Sequence, residues 1–504
     1  MGIRPYEEGA DEPADFCLQA RADVGIRPYE EGAAERPQEE SEMNGYYLIG
    51  EQLGHSFSAD IHRRFGRYDY ELKELSPAEL GPFLEARDFA GLNVTIPYKE
   101  AVLPYLDRLD EQAAAIGAVN TVVNRGGVLW GYNTDFGGMR AALARGGIGI
   151  SGKTVLILGT GGSSKTALAV CRALGAAQIH RVSRTGKDGA LTYAKAYARF
   201  GRLLPRDSLS DVPHPSAPGA PQGPVVINCS PVGMWPDVDG MPLNLKAFEL
   251  SRSEGSEASA SPSSCQPSSL TCHLSPVAWN SLSAVFDCVY NPLRTRLVLE
   301  ARARSIPAAG GLEMLVKQAA LACALFTGAP VKDDQVFGII DSLRRRQESI
   351  VLIGMPGAGK TTVGRILAQK CGRPFVDIDE EIAKRAGKPI PAIFAEDGET
   401  AFRDLEAELV RALAPAHGRV IAAGGGTILR PENVRRMQQN GRLVFLDRPL
   451  EALEPSPERP LGDTAEKVAA LYGARYALYA AAADLTVPVA GTPEDAADAI
   501  LAAL

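Results

Sequence analysis

Gly354-Met355-Pro356-Gly357-Ala358-Gly359-Lys360-Thr361-Thr362 is the stretch of this sequence with the most specific chemistry. It follows the apolar run Ile350-Val351-Leu352-Ile353 and opens a helical pattern. In that setting a glycine-rich loop turns its backbone N–H groups onto phosphate oxygens. The lysine reaches the β- and γ-phosphates, and the first threonine hydroxyl ligates Mg²⁺. ATP and Mg²⁺ are therefore the expected ligands of this loop. The next apolar run ends in Phe375-Val376-Asp377-Ile378-Asp379. Alternate residues of a strand share a face. The two carboxylates are thus expected to point the same way, one for the metal shell and one for a substrate hydroxyl.

A second glycine-rich turn lies upstream. Thr154–Leu158 reads as a strand, Gly159-Thr160-Gly161-Gly162-Ser163 follows at once, and a helix is expected over about 164–174. That order lets backbone amides and a helix N-terminus meet a pyrophosphate; a plain tight turn is the alternative. Ser164 stands where the dinucleotide fingerprint has its third glycine. The following strand ends in Ser183-Arg184-Thr185, where an NAD enzyme places an acid for the ribose hydroxyls. A guanidinium can pair a 2′-phosphate instead, which favours NADP(H). A solvated surface arginine is the alternative.

Ahead of this turn, short β segments carry a dense set of polar side chains. They are Gly54-His55-Ser56-Phe57-Ser58, Asn93-Val94-Thr95-Ile96-Pro97-Tyr98-Lys99, Gly117-Ala118-Val119-Asn120-Thr121 and Asn133-Thr134-Asp135. Asn93 and Thr95 are expected on one strand face, with Lys99 just past the strand end. Together the set suits a polyhydroxylated substrate; singly, each would be turn or capping chemistry.

The elements that must hold these residues follow an α/β pattern. Strand-like runs alternate with helical ones from Tyr46 to about residue 346, and the apolar strand at Ser349–Ile353 begins a second such series. The 504 residues exceed one ordinary domain. Hydrophobic residues at 45% and charged residues at 23% exclude a fibrous or mainly disordered chain. No apolar run reaches the roughly 18 residues of a membrane span, and the N-terminus lacks an export pattern. The eight cysteines show no metal-ligand spacing and read as reduced thiols of a cytoplasmic protein. Residues 1–43 hold twelve acidic residues and four arginines, and the remainder balances at 49 of each sign. No basic field for nucleic acid is present. This acidic leader repeats Gly-Ile-Arg-Pro-Tyr-Glu-Glu-Gly-Ala at 2–10 and 25–33 and is expected to be disordered, with a partner-binding peptide as the alternative. The Pro-rich residues 203–224 and the Ser-rich residues 251–275 read as surface insertions.

The motifs at 54–58, 93–99, 117–121 and 133–135, with Asn228-Cys229-Ser230-Pro231-Val232-Gly233-Met234, Asp287-Cys288-Val289-Tyr290 and Gly311-Leu312-Glu313-Met314-Leu315-Val316-Lys317-Gln318, make residues 44–346 resemble shikimate dehydrogenase. The resemblance implies a substrate domain at 44–138 to which helices at 312–346 return, and a Rossmann NADP domain at 139–311. It implies hydride transfer between NADPH and 3-dehydroshikimate, with Lys99 and Asp135 as the catalytic pair and Lys99 as acid/base. Ser56 and Ser58 would hold the substrate carboxylate. Asn93, Thr95, Asn120, Tyr290 and Gln318 would hold the ring hydroxyls. Cys288 and Gly311 would line the nicotinamide, and Glu111 is a further nucleotide candidate. Departures from the family pattern are Ala59, Ser183 and Glu313, the last being bulky near the cofactor side.

Residues 348–504 resemble shikimate kinase, a P-loop fold with a parallel sheet. The loop at 354–362 is joined by Asp397-Gly398-Glu399, Phe402-Arg403, Gly424-Gly425-Gly426, Arg459-Pro460-Leu461 and Arg475 with Tyr479. By that likeness Asp379 faces the reacting 3-hydroxyl and Asp377 supports Mg²⁺. Arg403 and Arg475 clamp the substrate carboxylate, Gly425 gives a backbone contact, and Arg459 belongs to a lid over the transferring phosphoryl group. The lid is short, and the arginines some relatives place upstream of it and near adenine are missing. The two resemblances together imply consecutive reactions on one chain. Quinate preference in the first half, another small-metabolite kinase in the second, or a metabolite sensor are the alternatives. Few contacts are expected to cross residue 347, so two separable enzymes are expected.

Overall fold

The computed structural model describes residues 45–192 except 55, then 195–196, 223–242, 282–456 and 461–504. The acidic leader, residues 251–275, nearly all of 203–224, and Arg459 lie outside the described residues.

Three sheets organise the rest. The first contains β1 (Tyr46–Gly50), β2 (Tyr70–Glu74), β3 (Gly91–Val94), β4 (Arg108–Leu109), β5 (Thr121–Arg125) and β6 (Val128–Tyr132), in the order β2-β1-β3-β5-β6-β4. It is mixed, because β5 runs antiparallel to both β3 and β6. The second contains β7 (Thr154–Leu158), β8 (Gln178–Ser183), β9 (Leu191–Thr192), β10 (Val225–Asn228), β11 (Ala284–Asp287) and β12 (Ala308–Ala309), in the order β12-β11-β10-β7-β8-β9. All its pairs are parallel. The third contains β13 (Ser349–Ile353), β14 (Phe375–Asp377), β15 (Val420–Ala422), β16 (Gly441–Asp447) and β17 (Leu485–Pro488), in the order β14-β15-β13-β16-β17, again all parallel.

Parallel sheets bury both faces, so their strands read as continuous apolar runs. Val155, Leu156, Ile157 and Leu158 are buried in alternation against two separate clusters, one on each side of the second sheet. Ile350–Ile353 sit in the single large core of the third. In both sheets the strand order reverses beside the first strand, β7 or β13. Ligands bind open α/β sheets at that switch point, beyond the strand C-termini. Both glycine-rich loops begin there.

The helix Leu312–Thr327 crosses back to pack on the helix Thr134–Arg145, and the helix Ser58–Phe65 packs on it in turn. This returns Gln318 to the polar edge of the first sheet. No helix among the described residues is long and apolar enough to cross a membrane.

The expectation that few contacts cross residue 347 is not met. Asp239 takes a two-pronged ion pair from Arg436, with Nη2 at 2.9 Å, and Arg294 pairs with Glu348 at 2.7 Å. These charged groups carry no motif, and their partners lie far away in sequence, so their pairing was not visible there.

Candidate active sites

Lys99 sits in the turn after β3, and Asp135 in the first turn of the helix Thr134–Arg145. Lys99 Nζ donates to Asp135 Oδ2 at 2.5 Å, and both side chains are largely buried. Asn133 caps that helix by accepting from the Phe136 N–H, which fixes where Asp135 points. Around the pair lies a connected polar wall. Asn120 donates to Thr134 Oγ1 at 3.0 Å and to Gln318 Oε1 at 3.2 Å, and accepts from the Thr134 N–H at 2.7 Å. Asn93 donates to Thr121 Oγ1 and to the Asn120 carbonyl, and accepts from the Tyr70 hydroxyl at 2.8 Å. Both N–H groups of Asn93 and of Asn120 are thus spent within the protein, and their oxygens also accept from protein groups, Asn93 from Tyr70 and Asn120 from Thr134, so the wall is held rigid by its own hydrogen bonds. Ser58 N–H donates to Ser56 Oγ at 3.2 Å, and the Tyr290 ring packs on Phe57 between the two serines. Thr95 lies one residue past β3, half-buried, its N–H on the Ile49 carbonyl.

The glycine turn after β7 is anchored by the Gly159 N–H on the Val182 carbonyl at 2.8 Å. Ser164, in place of the third glycine, is buried and donates to the Gly159 carbonyl at 2.8 Å, closing the turn from inside. The helix begins at Gly162, two residues ahead of the expected start. A Cβ on Gly162 would lie 3.2 Å from Lys99 Cβ and 3.3 Å from Lys99 Cδ. The turn and the Lys99–Asp135 pair are therefore one continuous site. Ser183 ends β8 and accepts from the Gly186 N–H, with Arg184 and Thr185 exposed beside it. Cys288 follows β11, its Sγ 3.7 Å from that of Cys229, and the Gly311 N–H donates to the Val289 carbonyl. Glu111 is exposed on the first turn of the helix Glu111–Ile116, which packs on the helix following the glycine turn. Glu313 is accommodated as an ion-pair partner of Arg145 at 3.0 Å and Arg344 at 3.8 Å.

In the third sheet's site, Gly354, Gly357 and Gly359 take positive φ and shape the loop between β13 and the helix Lys360–Cys371. Met355 and Ala358 are buried beneath it and Thr362 is exposed on the helix. Lys360 Nζ donates to the carbonyls of Gly354 and Met355. Thr361 Oγ1 donates to Asp377 Oδ2 at 2.6 Å. The placement of the two carboxylates differs from the expectation of a shared strand face. β14 stops at Asp377, whose Oδ1 accepts the N–H groups of Asp379 and Glu380 and so caps the helix Ile378–Ala386. Asp379 lies in the first turn of that helix. Burial pushes its carboxyl up to about 6 against the opposing pull of Lys360. Arg403 is buried, between Glu399 and Glu406, and Arg475 Nη1 donates to the Gly425 carbonyl at 2.9 Å, as the Tyr479 hydroxyl also does. Pro356 lies against Gly425. Two guanidiniums thus converge on the loop Gly424-Gly425-Gly426 beside Asp379, a geometry suited to a carboxylate.

Comparison with known proteins matches each half. The shikimate dehydrogenase substrate binding domain family matches residues 48–122, and the shikimate kinase family matches 356–504. A shikimate dehydrogenase (NADP(+)) of Symbiobacterium thermophilum is 32% identical over 56% of this chain and 88% of its own length. One of Halothermothrix orenii is 35% identical over 56% of this chain and 90% of its own length. A shikimate kinase of Thermodesulfovibrio yellowstonii is 40% identical over 31% of this chain and 93% of its own length. The chain belongs to the shikimate dehydrogenase and shikimate kinase families.

Within the dehydrogenase half, sequence reasoning missed Tyr70, whose hydroxyl orients Asn93 from the neighbouring region of the sheet. Its type at a strand start was a signal only of burial. Within the kinase half it missed Glu406, which is fully buried, pairs with Arg403 and accepts from Thr427 Oγ1 at 2.6 Å. A glutamate three residues after Arg403 on one helix face was the available signal.

Proposed function

We propose that this chain carries out two consecutive steps, reduction of 3-dehydroshikimate to shikimate with NADPH and phosphorylation of shikimate at its 3-hydroxyl with ATP. Residues 44–138 with 312–346 form the substrate lobe in this reading, 139–311 the NADP lobe, and 348–504 the kinase. The 2.5 Å Lys99–Asp135 pair, seated directly against Gly162 of the nucleotide turn, is the observation that carries the first assignment. NADPH supplies the hydride to the substrate carbonyl carbon. The Lys99 ammonium gives its proton to the oxygen as the carbonyl becomes an alcohol, and Asp135 holds the ammonium in place. Ser56 and Ser58 grip the carboxylate end; Tyr290, expected among the ring-hydroxyl contacts, joins that end in this reading because its ring packs on Phe57 between the two serines, and the Asn93–Asn120–Gln318 wall lines the ring-hydroxyl side.

In the kinase half, Arg403 and Arg475 fix the carboxylate of shikimate so that its 3-hydroxyl meets Asp379. The hydroxyl oxygen bonds to the γ-phosphorus, ADP leaves, and the hydroxyl proton passes to the Asp379 carboxylate. The loop amides and Lys360 stabilise the phosphate charge. Thr361 Oγ1 and Asp377 are hard oxygen donors 2.6 Å apart at the loop's edge and fit Mg²⁺, which keeps several waters and needs few protein ligands. When bound, the ion neutralises phosphate charge.

The test uses two variants of the full chain. Lys99→Ala should cut shikimate-dependent NADP reduction by about 10² or more, the scale of losing a general acid/base, and leave shikimate-dependent ADP release intact. Lys360→Ala should do the reverse. Loss of both activities in either variant would argue against two separate sites.

A further inference from the structure

The segment that carries Tyr290 continues into the kinase half. Leu293 N–H donates to Asn440 Oδ1 at 2.9 Å, and Arg294 N–H donates to the Gln439 carbonyl at 3.0 Å. The Arg294 side chain completes the hold. Its Nε reaches the Gln438 carbonyl, Nη2 the Gly441 carbonyl, and Nη1 Glu348 Oε1, each at 2.7 Å. All but Glu348 sit where the helix Pro431–Asn440 turns into β16. The helix-end carbonyls of Gln438 and Gln439 have no partner within the helix, so the Arg294 guanidinium and backbone N–H satisfy them. Asn440 is itself buried and tied to the Ala414 carbonyl. Glu348 is buried and shared with Arg442, so Arg294 has a compensated partner and not an isolated charge.

On the other side, the Tyr290 ring packs on Phe57, between Ser56 and Ser58, with centroids 5.3 Å apart. Phe57 in turn meets the His417 ring of the kinase half edge-on at 6.4 Å. Both strips assigned to the substrate's carboxylate end, Ser56–Ser58 and Tyr290, therefore touch the kinase half. The Lys99–Asp135 pair does not share this support: its partners come from β3, the helix Thr134–Arg145 and the glycine turn.

We infer that the kinase half is a structural part of the dehydrogenase's shikimate site, and that Arg294 is the positioning residue through which the corner at Gln438–Gly441 fixes Tyr290. The inference rests on the substrate assignment proposed above. Arg294 touches no reacting atom, so its effect must fall on substrate binding and not on the chemical step.

The experiment is steady-state shikimate oxidation by the full chain and by its Arg294→Ala, Arg294→Lys and Arg435→Ala variants, with kinase turnover of each protein recorded alongside. Arg294→Ala should raise KM for shikimate by about 5-fold or more, the lower end of inter-site coupling. Its kcat, its KM for NADP and its kinase constants should stay within about 2-fold, the mark of lost ground-state binding. Arg294→Lys should recover part of the loss. Arg435 pairs at 3.5 Å with Glu300 on the helix Arg296–Arg302, across the same interface but off the Tyr290 segment, so Arg435→Ala should leave KM unchanged. Arg294→Ala with wild-type KM in an active kinase overturns the inference. So does an equal rise in Arg435→Ala, which would mean general loosening of the interface. A variant without kinase activity is replaced by Glu348→Gln, which weakens the same hold from the other side and must show the same KM effect. Absence of shikimate oxidation in the unmodified chain would instead defeat the substrate assignment.

Discussion

Asp287, the last residue of β11, is fully buried beside the expected nicotinamide contact Cys288. Burial raises its carboxyl to about 6, against hydrogen bonds from Thr295 Oγ1, the Val289 N–H and Asn228 Nδ2 that favour the charged form. An unfolded aspartate titrates near 3.8 and the folded one near 6, so between those values the native state holds the extra proton. Raising the pH across that window removes it and destabilises the fold. Below the window both states are protonated, and above it the penalty is constant. Asp287→Asn keeps an acceptor for Val289 and Asn228 without the buried charge. Thermal unfolding of the variant should therefore lose the decline between pH 4 and 6, a gain at neutral pH of up to about 3 kcal/mol. A variant whose pH profile overlays that of the unmodified chain would show that Asp287 is not the responsible group.

At the scale of elements, the loop Gly424-Gly425-Gly426 shows why close approach dictates composition. A Cβ on Gly426 would fall 2.2 Å from the Arg403 guanidinium carbon. That guanidinium cannot step aside freely, because Glu399 and Glu406 hold it at 3.1 Å and 3.3 Å. Gly426→Ala should thus raise the kinase KM for shikimate by about 10-fold or more while the dehydrogenase reaction is unaffected; an unchanged KM would remove Arg403 from the carboxylate clamp. Elements of this kind were readable where one local segment does the whole job. Both phosphate loops, their preceding strands and their following helices lie within single stretches of sequence, and they sit where the patterning put them. The short β14 was less legible. Asp377 is a helix cap, and capping and strand alternation predict opposite directions for Asp379. Tyr70 and Glu406 escaped notice because their roles depend on side chains brought near only by the fold.

For the whole molecule, the two glycine loops stand at corresponding switch points of two parallel sheets, and the mixed sheet supplies the polar wall of the first site. The sequence showed this division but not how the halves meet. Arg294, Asp239, Arg436 and Gln439 belong to no motif, and contacts between residues so far apart in sequence leave no periodic trace. In the reading proposed above, one chain converts 3-dehydroshikimate to shikimate 3-phosphate. The decisive experiment supplies 3-dehydroshikimate, NADPH, ATP and Mg²⁺ to the purified full chain and follows the products by mass spectrometry. Shikimate 3-phosphate should form, with one NADPH oxidised and one ATP converted to ADP by phosphoryl transfer for each molecule, and shikimate alone when ATP is withheld. NADPH consumption that never yields the phosphorylated product in the presence of ATP, or no NADPH consumption at all, would contradict it.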